Sequence, residues 1–150
     1  RSYCYSFGWW GTAGECGLSR KQIQTQVRRL LQLNSSTTFG YSSPICSEVC
    51  LTAELCRELG QIPIIDVSWG QSEEGAIGAL AACGRLNDLT VSLNQLTEAD
   101  IDRLKTCPAI QVIRIQGAKS NEDRMIALAR RQLDCTIVVN GVELATGERE

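Results

Sequence analysis

The chain has 150 residues, a length that suffices for one domain with a core of its own. Its 15 basic and 17 acidic residues give a net charge of −2, which excludes a broad electrostatic attraction to nucleic acid or to an anionic membrane. The sequence contains no histidine, so Ser-His-Asp and Cys-His nucleophile pairs, imidazole acid–base chemistry and His-containing zinc sites are excluded. No apolar run approaches the roughly 20 residues of a membrane span.

The cysteine content and the first residue bear on the compartment. Eight cysteines are many for a chain of this size, and a chain that begins with Arg1 instead of Met is consistent with the removal of a leader. The two observations favour an extracytoplasmic or organellar protein, and the alternative is an expression fragment, which would begin in the same way.

The N-terminal segment, residues 1–46, is predicted to be a cap. Its first part, 1–18, is rich in glycine and aromatic residues and has neither a helical nor a strand period, which is typical of an irregular loop. Ser19 is a candidate N-cap, because apolar residues recur at helical spacing from Ile23 to Leu31. This helix is expected to end near Asn34, where a Ser, Thr, Gly and Pro stretch begins.

From residue 47 to residue 141 the sequence repeats itself with a constant 24-residue step. The β-rich runs IDVSW, LTVSL, IRIQG and IVVNG begin at Ile65, Leu89, Ile113 and Ile137. The same step aligns apolar columns that are candidates for the core: Val67, Val91, Ile115 and Val139; Cys56, Leu80, Leu104 and Leu128; Ala53, Ile77, Ile101 and Met125; Ile62, Leu86 and Ile110. Residues 142–150 are predicted to be a polar tail.

Each repeat also contains a helical part with its own start signal. The candidate N-caps are Ser47, Ser72, Thr97 and Ser120. Thr97 with Asp100, and Ser120 with Asp123, resemble the capping box with Asp in its acidic position. The acidic residues of these first turns, Glu73, Glu74, Glu98, Asp100, Glu122 and Asp123, are therefore attributed to capping and to the helix dipole.

A 24-residue period with one helix and one strand predicts an α/β fold, a right-handed β/α solenoid with parallel strands and all helices on one face. The rival fold is an open sheet of flavodoxin type, whose helices cover both faces. The constant period and the equally short strands favour the solenoid.

One repeat contains a complete family pattern. Leu86, Leu89, Val91, Asn94 and Leu96 spell L-x-x-L-x-L-x-x-N-x-L with Val in one Leu place. Here the sequence resembles the leucine-rich repeat family, in its ribonuclease-inhibitor-like branch with helices on the convex side. The other units keep the apolar places, but Gly70 and Ala118 stand where the family has asparagine. The resemblance implies a curved solenoid and covers about two thirds of the chain.

The strand residues that alternate with the core columns are the candidate partner-binding residues, because they point to the opposite, concave face. They are Asp66, Ser68, Thr90, Ser92, Arg114, Gln116, Val138 and Asn140. Proteins of the resembled family often bind partners there. The alternative is a polar sheet face that is merely solvated.

The cysteines fall into two groups. Cys56, Cys83 and Cys107 occupy helix columns and are predicted to be packed thiols, although Cys83 and Cys107 lie one repeat apart, a separation that a disulfide can span. Cys4, Cys16, Cys46 and Cys50 lie in or beside the N-terminal segment. They are candidate disulfide residues in an oxidising compartment, and a four-cysteine zinc site is the less favoured alternative because their spacing matches no zinc ribbon.

Phe7, Trp9 and Trp10 are either an apolar plug over the open end of the solenoid, which is the preferred interpretation, or an anchor for a partner. No phosphate-loop, dinucleotide, nucleophile-elbow or zinc-protease motif is present. We therefore predict a non-catalytic protein-interaction or structural module without cofactor or metal, such as a small subunit or assembly factor of a larger complex. The alternative is a cysteine-based metal-binding or redox protein that uses the N-terminal thiols.

Overall fold

The computed structural model of the chain describes residues 4–6, 38–40, 50–68 and 71–145, with side chains at 51–68 and 71–145. The α-helices of these residues are α1 (Ala53–Leu59), α2 (Ala76–Ala79), α3 (Glu98–Leu104) and α4 (Arg124–Gln132), and a 3-10 helix spans Leu93–Gln95. The strands are β1 (Cys4–Ser6), β2 (Thr38–Gly40), β3 (Cys50–Leu51), β4 (Ile64–Asp66), β5 (Gln71–Ser72), β6 (Asp88–Ser92), β7 (Val112–Gln116), β8 (Thr136–Val139) and β9 (Val142–Leu144).

The main sheet is built on the repeat. Its strands follow the order β1-β2-β4-β6-β7-β8-β9, and every described pair is parallel except β8 with β9. Ile64 lies beside Asp88, Asp88 beside Val112, and Val112 beside Thr136, so each partner is one repeat further along the chain. The predicted α/β architecture, with four parallel strands in sequence order, is confirmed.

The helices pack on one face of this sheet. Consecutive helices contact each other, α1 with α2, α2 with α3, and α3 with α4. One continuous core joins them to the inward residues of the strands, among them Leu55, Leu59, Ile77, Leu80, Ile101, Leu104, Ile65, Val67, Leu89, Val91, Ile113 and Ile115. The opposite face includes Ile64, which is 40% exposed, and the exposed Arg114.

The predicted columns are buried in the central units and less so in the last one. Val67, Val91, Ile115 and Val139 are all at most 1% exposed, as are Cys56, Leu80 and Leu104. By contrast Met125, Leu128 and Ile110 are only half-buried. A terminal unit has a packing neighbour on one side only, which accounts for the difference at Met125 and Leu128.

The predicted helix starts are right at α3 and wrong at α4. Thr97 and Asp100 form the expected capping box at α3. At α4 the N-cap is Asp123, whose carboxylate accepts from the amide of Met125. The hydroxyl of Ser120 accepts from the amide of Glu122, only two residues further on. Ser120 therefore closes a turn before the helix instead of capping it.

The first two helices begin later than predicted, because the residues before them form β3 and β5, which pair with each other in a separate two-stranded sheet. Ser72 belongs to β5, and α2 begins after Gly75, which has φ of 78° and no side chain with which to cap. The N-cap of α1 is Thr52, whose hydroxyl accepts from the amide of Leu55. The predicted cap Ser47 lies outside the described residues.

Two strands occur where the sequence predicted loops. β1 and β2, at residues 4–6 and 38–40, extend the main sheet beyond β4 in the same parallel sense. Each is only three residues long, which is too short for a strand period to be read from the sequence. The predicted helix after Ser19 lies outside the described residues.

The last strand is part of a hairpin. Asn140 and Gly141 have φ of 48° and 82°, the left-handed pair that a type I′ turn requires, and they connect β8 to the antiparallel β9. The side-chain amide of Asn140 also donates to the carbonyl of Ala118, 2.7 Å away. Residues 142–144 thus form the edge strand at one end of the sheet, and the prediction of a polar tail from residue 142 is wrong for them.

In the repeat that contains the pattern from Leu86 to Leu96, the side chain that bonds to the preceding repeat is not the asparagine of the pattern, Asn94. Asn94 is exposed, and its neighbour Gln95 is buried instead. The Gln95 side-chain amide donates to the carbonyl of Val67 in the preceding repeat at 2.8 Å, and its oxygen accepts from the amide of Ser92. The 3-10 turn after β6 places residue 95, not residue 94, beneath the end of the strand.

Candidate partner-binding face

The face of the main sheet opposite the helices is the candidate functional site. We call it the open face, and it is made of the outward residues of β4, β6, β7, β8 and β9. The register between strands arranges these side chains in rows that run across the sheet. The first row is Ile64, Asp88, Val112 and Thr136, and the second is Asp66, Thr90, Arg114, Val138 and Glu143.

The predicted binding residues differ in how accessible they are. Arg114 and Asn140 are exposed, and Asp66, Ser92 and Gln116 are half-buried. Ser68, Thr90 and Val138 are only 7%, 8% and 7% exposed. Of the eight predicted binding residues, two are therefore exposed, three are half-buried and three are buried.

Arg114 forms an ion pair with Asp88 at the centre of this face. Its Nη2 lies 3.0 Å from Oδ2 of Asp88, and its Nε lies 3.2 Å from Oδ1. The hydrogen bond and the charge of Asp88 raise the pKa of Arg114 above its already high ordinary value, so the guanidinium is a fixed cation. The Arg114 side chain remains 46% exposed, which leaves it accessible to a second anion.

Sequence reasoning missed Asp88. The strands were expected to begin at Ile65 and at its counterparts in the later repeats, whereas β4, β6, β7 and β8 begin one residue earlier. The same step applied from Ile64 would have revealed the row that contains Asp88.

Several polar residues of the open face are engaged in local hydrogen bonds. Oδ1 of Asp66 accepts from the backbone amide of Ser68 at 3.0 Å and from its hydroxyl at 2.8 Å. The amide of Ser92 donates to Gln95. In these described hydrogen bonds Asp66 uses only Oδ1 and not Oδ2, whereas the main-chain amide of Ser92 is fully engaged.

Apart from the open face, a groove lies at the carboxyl ends of β6 and β7. This open groove has a volume of about 380 Å³ and is lined by Leu93, Asn94, Gly117, Lys119, Ser120, Glu122 and Asp123. The Asp123 carboxylate and the Ser120 hydroxyl already accept backbone hydrogen bonds there.

The thiols of the repeats differ from one another. Cys56 and Cys107 are buried as predicted, and the Cys107 thiol donates to the carbonyl of Leu86. Cys83 is exposed, so the prediction of a packed thiol is wrong there, because α2 ends early and leaves residue 83 in the turn beyond it. Burial, with a smaller contribution from Asp134, raises the pKa of Cys135 to about 11.

The other candidate residues belong to the N-terminal segment and its border. Phe7, Trp9, Trp10, Cys16 and Cys46 lie outside the described residues, and Cys4 and Cys50 lie outside the part whose side chains are described. Within that part, no group of three or more His, Cys, Asp or Glu side chains is arranged to hold a metal ion. Nor does any helix there have the length and apolar character needed to span a membrane.

Comparisons of the chain with protein-family models, with curated proteins and with solved structures find no significant match.

Proposed function

We propose that this chain is a non-catalytic protein-binding module, a short right-handed solenoid of leucine-rich-type β/α repeats that serves as a small subunit or assembly factor of a larger complex. The solenoid part is supported by the constant one-repeat register between β4, β6, β7 and β8 and by the stacking of consecutive helices on one face. The family assignment rests on the pattern from Leu86 to Leu96.

The binding part rests on one observation, the exposed Arg114 at the centre of a sheet face that no described helix covers. Arginine is enriched at binding hot spots, because its planar guanidinium forms several hydrogen bonds at a moderate entropic cost. Here Asp88 fixes its orientation before any partner arrives, which reduces the entropy that binding must remove. Exposed apolar surface at Ile64 lies in the adjoining row.

Site-specific photo-crosslinking tests the proposed binding face. A photoreactive amino acid replaces Thr136 on the open face in one variant and Arg131 on the exposed side of α4 in a control. Introduced into the native source, the Thr136 probe is expected to give a discrete crosslinked partner, and the Arg131 probe is not. Equal crosslinking from the two positions, or none from Thr136, contradicts the proposal.

Once the crosslinked partner is identified, Arg114→Ala is expected to raise its dissociation constant tenfold or more, which corresponds to a loss of about 1.4 kcal/mol of binding free energy. Arg131→Ala is the matched control, an exposed arginine on the helical side, and is expected to leave the affinity unchanged. A loss confined to Trp10→Ala, in a variant that keeps its fold, would move the binding site to the N-terminal segment.

The alternative function, a metal or redox role for the N-terminal cysteines, has its own test. Intact mass measured with and without reductant detects disulfides, because each one removes two hydrogen atoms from the chain. A metal assay of the purified protein detects zinc. Stoichiometric metal would favour the alternative over the binding module.

A further inference from the structure

The second row of the open face carries a regular pattern of charge. Its members are paired neighbours on five successive strands: Asp66 beside Thr90, Thr90 beside Arg114, Arg114 beside Val138, and Val138 beside Glu143. Reading across the sheet, the row is acidic, neutral, basic, neutral, acidic. We call it the charge row.

The orientation of these side chains places all three charges on the open face. Asp66 lies between the core residues Ile65 and Val67, and Arg114 between Ile113 and Ile115. Glu143 is the neighbour of Leu144, which packs against the core, so alternation along β9 turns Glu143 to the other side. The neutral members Thr90 and Val138 are buried, whereas Arg114 and Glu143 are exposed and Asp66 is half-buried.

The spacing of the charges is set by the spacing of the strands. Neighbouring strands are about 4.8 Å apart, so charges on alternate strands are separated by roughly 10 Å, and the whole row spans roughly 19 Å. A complementary partner must therefore present opposite charges at intervals of about 10 Å along a line that crosses the strands.

The central cation has room for an external anion. Asp88 engages the guanidinium of Arg114 from one side, through Nε and Nη2, at 3.2 and 3.0 Å. The described hydrogen bonds of Arg114 do not involve Nη1. The edge of the guanidinium that carries Nη1 thus remains available for a second carboxylate. A planar guanidinium can pair with two carboxylates, one on each of two edges.

We infer that the charge row recognises one amphipathic helix of a protein partner, which crosses the strands and presents a basic, an acidic and a basic residue at i, i+7 and i+14. This inference rests on the proposed function of the open face. Seven helical residues advance about 10.5 Å, which matches the charge spacing, whereas same-face residues of an extended strand advance about 6.6 or 13.2 Å and do not match it. The charges pair with Asp66, Arg114 and Glu143.

Two of the four residues of the adjoining row, Ile64 and Val112 on either side of Asp88, supply the apolar part of the same site. Ile64, which is 40% exposed, and Val112 lie two positions before Asp66 and Arg114 on their strands, about 6.6 Å away along the strand direction. A helix laid over both rows covers these apolar side chains with its apolar stripe while one flank carries the charges.

Two designed helical peptides test the inference directly. Both carry the same leucine stripe, and one flank has Lys, Glu and Lys at i, i+7 and i+14 in the matched peptide and Glu, Lys and Glu in the inverted one. Fluorescence anisotropy is expected to show that the matched peptide binds about tenfold more tightly, with the difference shrinking at high salt. Equal binding of the two peptides, or binding of neither, overturns the inference.

A variant of the protein tests whether the charge row causes the preference for the matched peptide. Glu143→Lys reverses one outer charge at an exposed position and is expected to reduce the preference for the matched peptide severalfold. The control Glu74→Lys makes the same change of charge at an exposed residue before α2 and is expected to keep the preference. Circular dichroism confirms that both variants are folded. A preference that survives Glu143→Lys, or that Glu74→Lys also reduces, overturns the inference.

Failure of this inference is distinguishable from failure of the proposed function. A partner crosslinked from Thr136 that binds unchanged to Glu143→Lys and Asp66→Asn refutes the charge row alone. A self-association measured by light scattering and abolished by Glu143→Lys would show that a second copy of this chain occupies the row, and would likewise overturn the inference.

Discussion

The carboxylate of Asp100 in α3 accepts a hydrogen bond from the backbone amide of Gly78 in α2, at 2.7 Å. Its second oxygen accepts from the amide and the hydroxyl of Thr97, at 2.9 and 2.8 Å. Asp100 is fully buried, and Gly75, the residue that precedes α2, has no side chain with which to cap it. One carboxylate therefore satisfies the first turns of two neighbouring helices.

Replacement of Asp100 by Asn is expected to destabilise the protein by about 1 to 3 kcal/mol, because the amide nitrogen would face a donor and leave a buried group unpaired. The control Asp102→Asn changes an exposed residue of the same helix and is expected to have little effect. Urea denaturation measures both variants. Equal midpoints for the two would contradict the shared cap.

Leu104 is fully buried at the centre of its column, between neighbouring units. Leu104→Ala is expected to cost about 2 to 5 kcal/mol, the range for a leucine deleted from a close-packed core. Leu128→Ala is the matched control, since the same column position in the last unit is only half-buried and can relax more easily. A denaturation midpoint that falls no further for Leu104→Ala than for Leu128→Ala would show that the central column is not tightly packed.

Substitutions at Asn94 and Gln95 test which of the two residues links neighbouring repeats. The leucine-rich pattern points to Asn94, whereas the structure shows Gln95 in this role. Gln95→Ala removes the hydrogen bonds to the carbonyl of Val67 and the amide of Ser92, and a loss of about 1 to 3 kcal/mol is expected for the buried groups left unpaired. Asn94 is exposed, so Asn94→Ala is expected to change stability by less than about 0.5 kcal/mol in the same urea titration. The reverse order of effects would restore the asparagine as the inter-repeat residue.

Cys83 and Cys135 are expected to differ in their reaction with iodoacetamide. Only the thiolate reacts, and a pKa of about 11 leaves roughly one thousandth of Cys135 ionised at pH 8. Its labelling rate is therefore expected to be slow and to rise about tenfold per pH unit up to pH 11. The exposed Cys83 is expected to be labelled first. Peptide mass spectrometry after timed quenching resolves the two sites, and equal rates at pH 8 would argue against the buried environment of Cys135.

Some features of the candidate site were available in the sequence, and others were not. Arg114 was identified as an exposed outward residue because alternation along a strand is a local property. The Asn140-Gly141 pair, flanked by apolar residues, is a sequence typical of a β-hairpin turn. A hairpin with this turn pairs Glu143 with Val138 and so places Glu143 on the open face. Asp88 was missed through a shift of one residue in the start of the strand.

By itself the sequence determined the repeat and its direct consequences: the parallel strands in order, the 24-residue register, and the buried central columns such as Val67, Val91 and Ile115. These properties depend on periodicity, which is written in consecutive residues. Only the tertiary structure decided that Gln95 replaces Asn94, that Asp100 caps the preceding helix, and that the outward strand residues Thr90 and Val138 are buried. Each of these features depends on the distance between atoms of different repeats. A shift of a turn or a strand end by a single residue changes which side chains of neighbouring repeats meet.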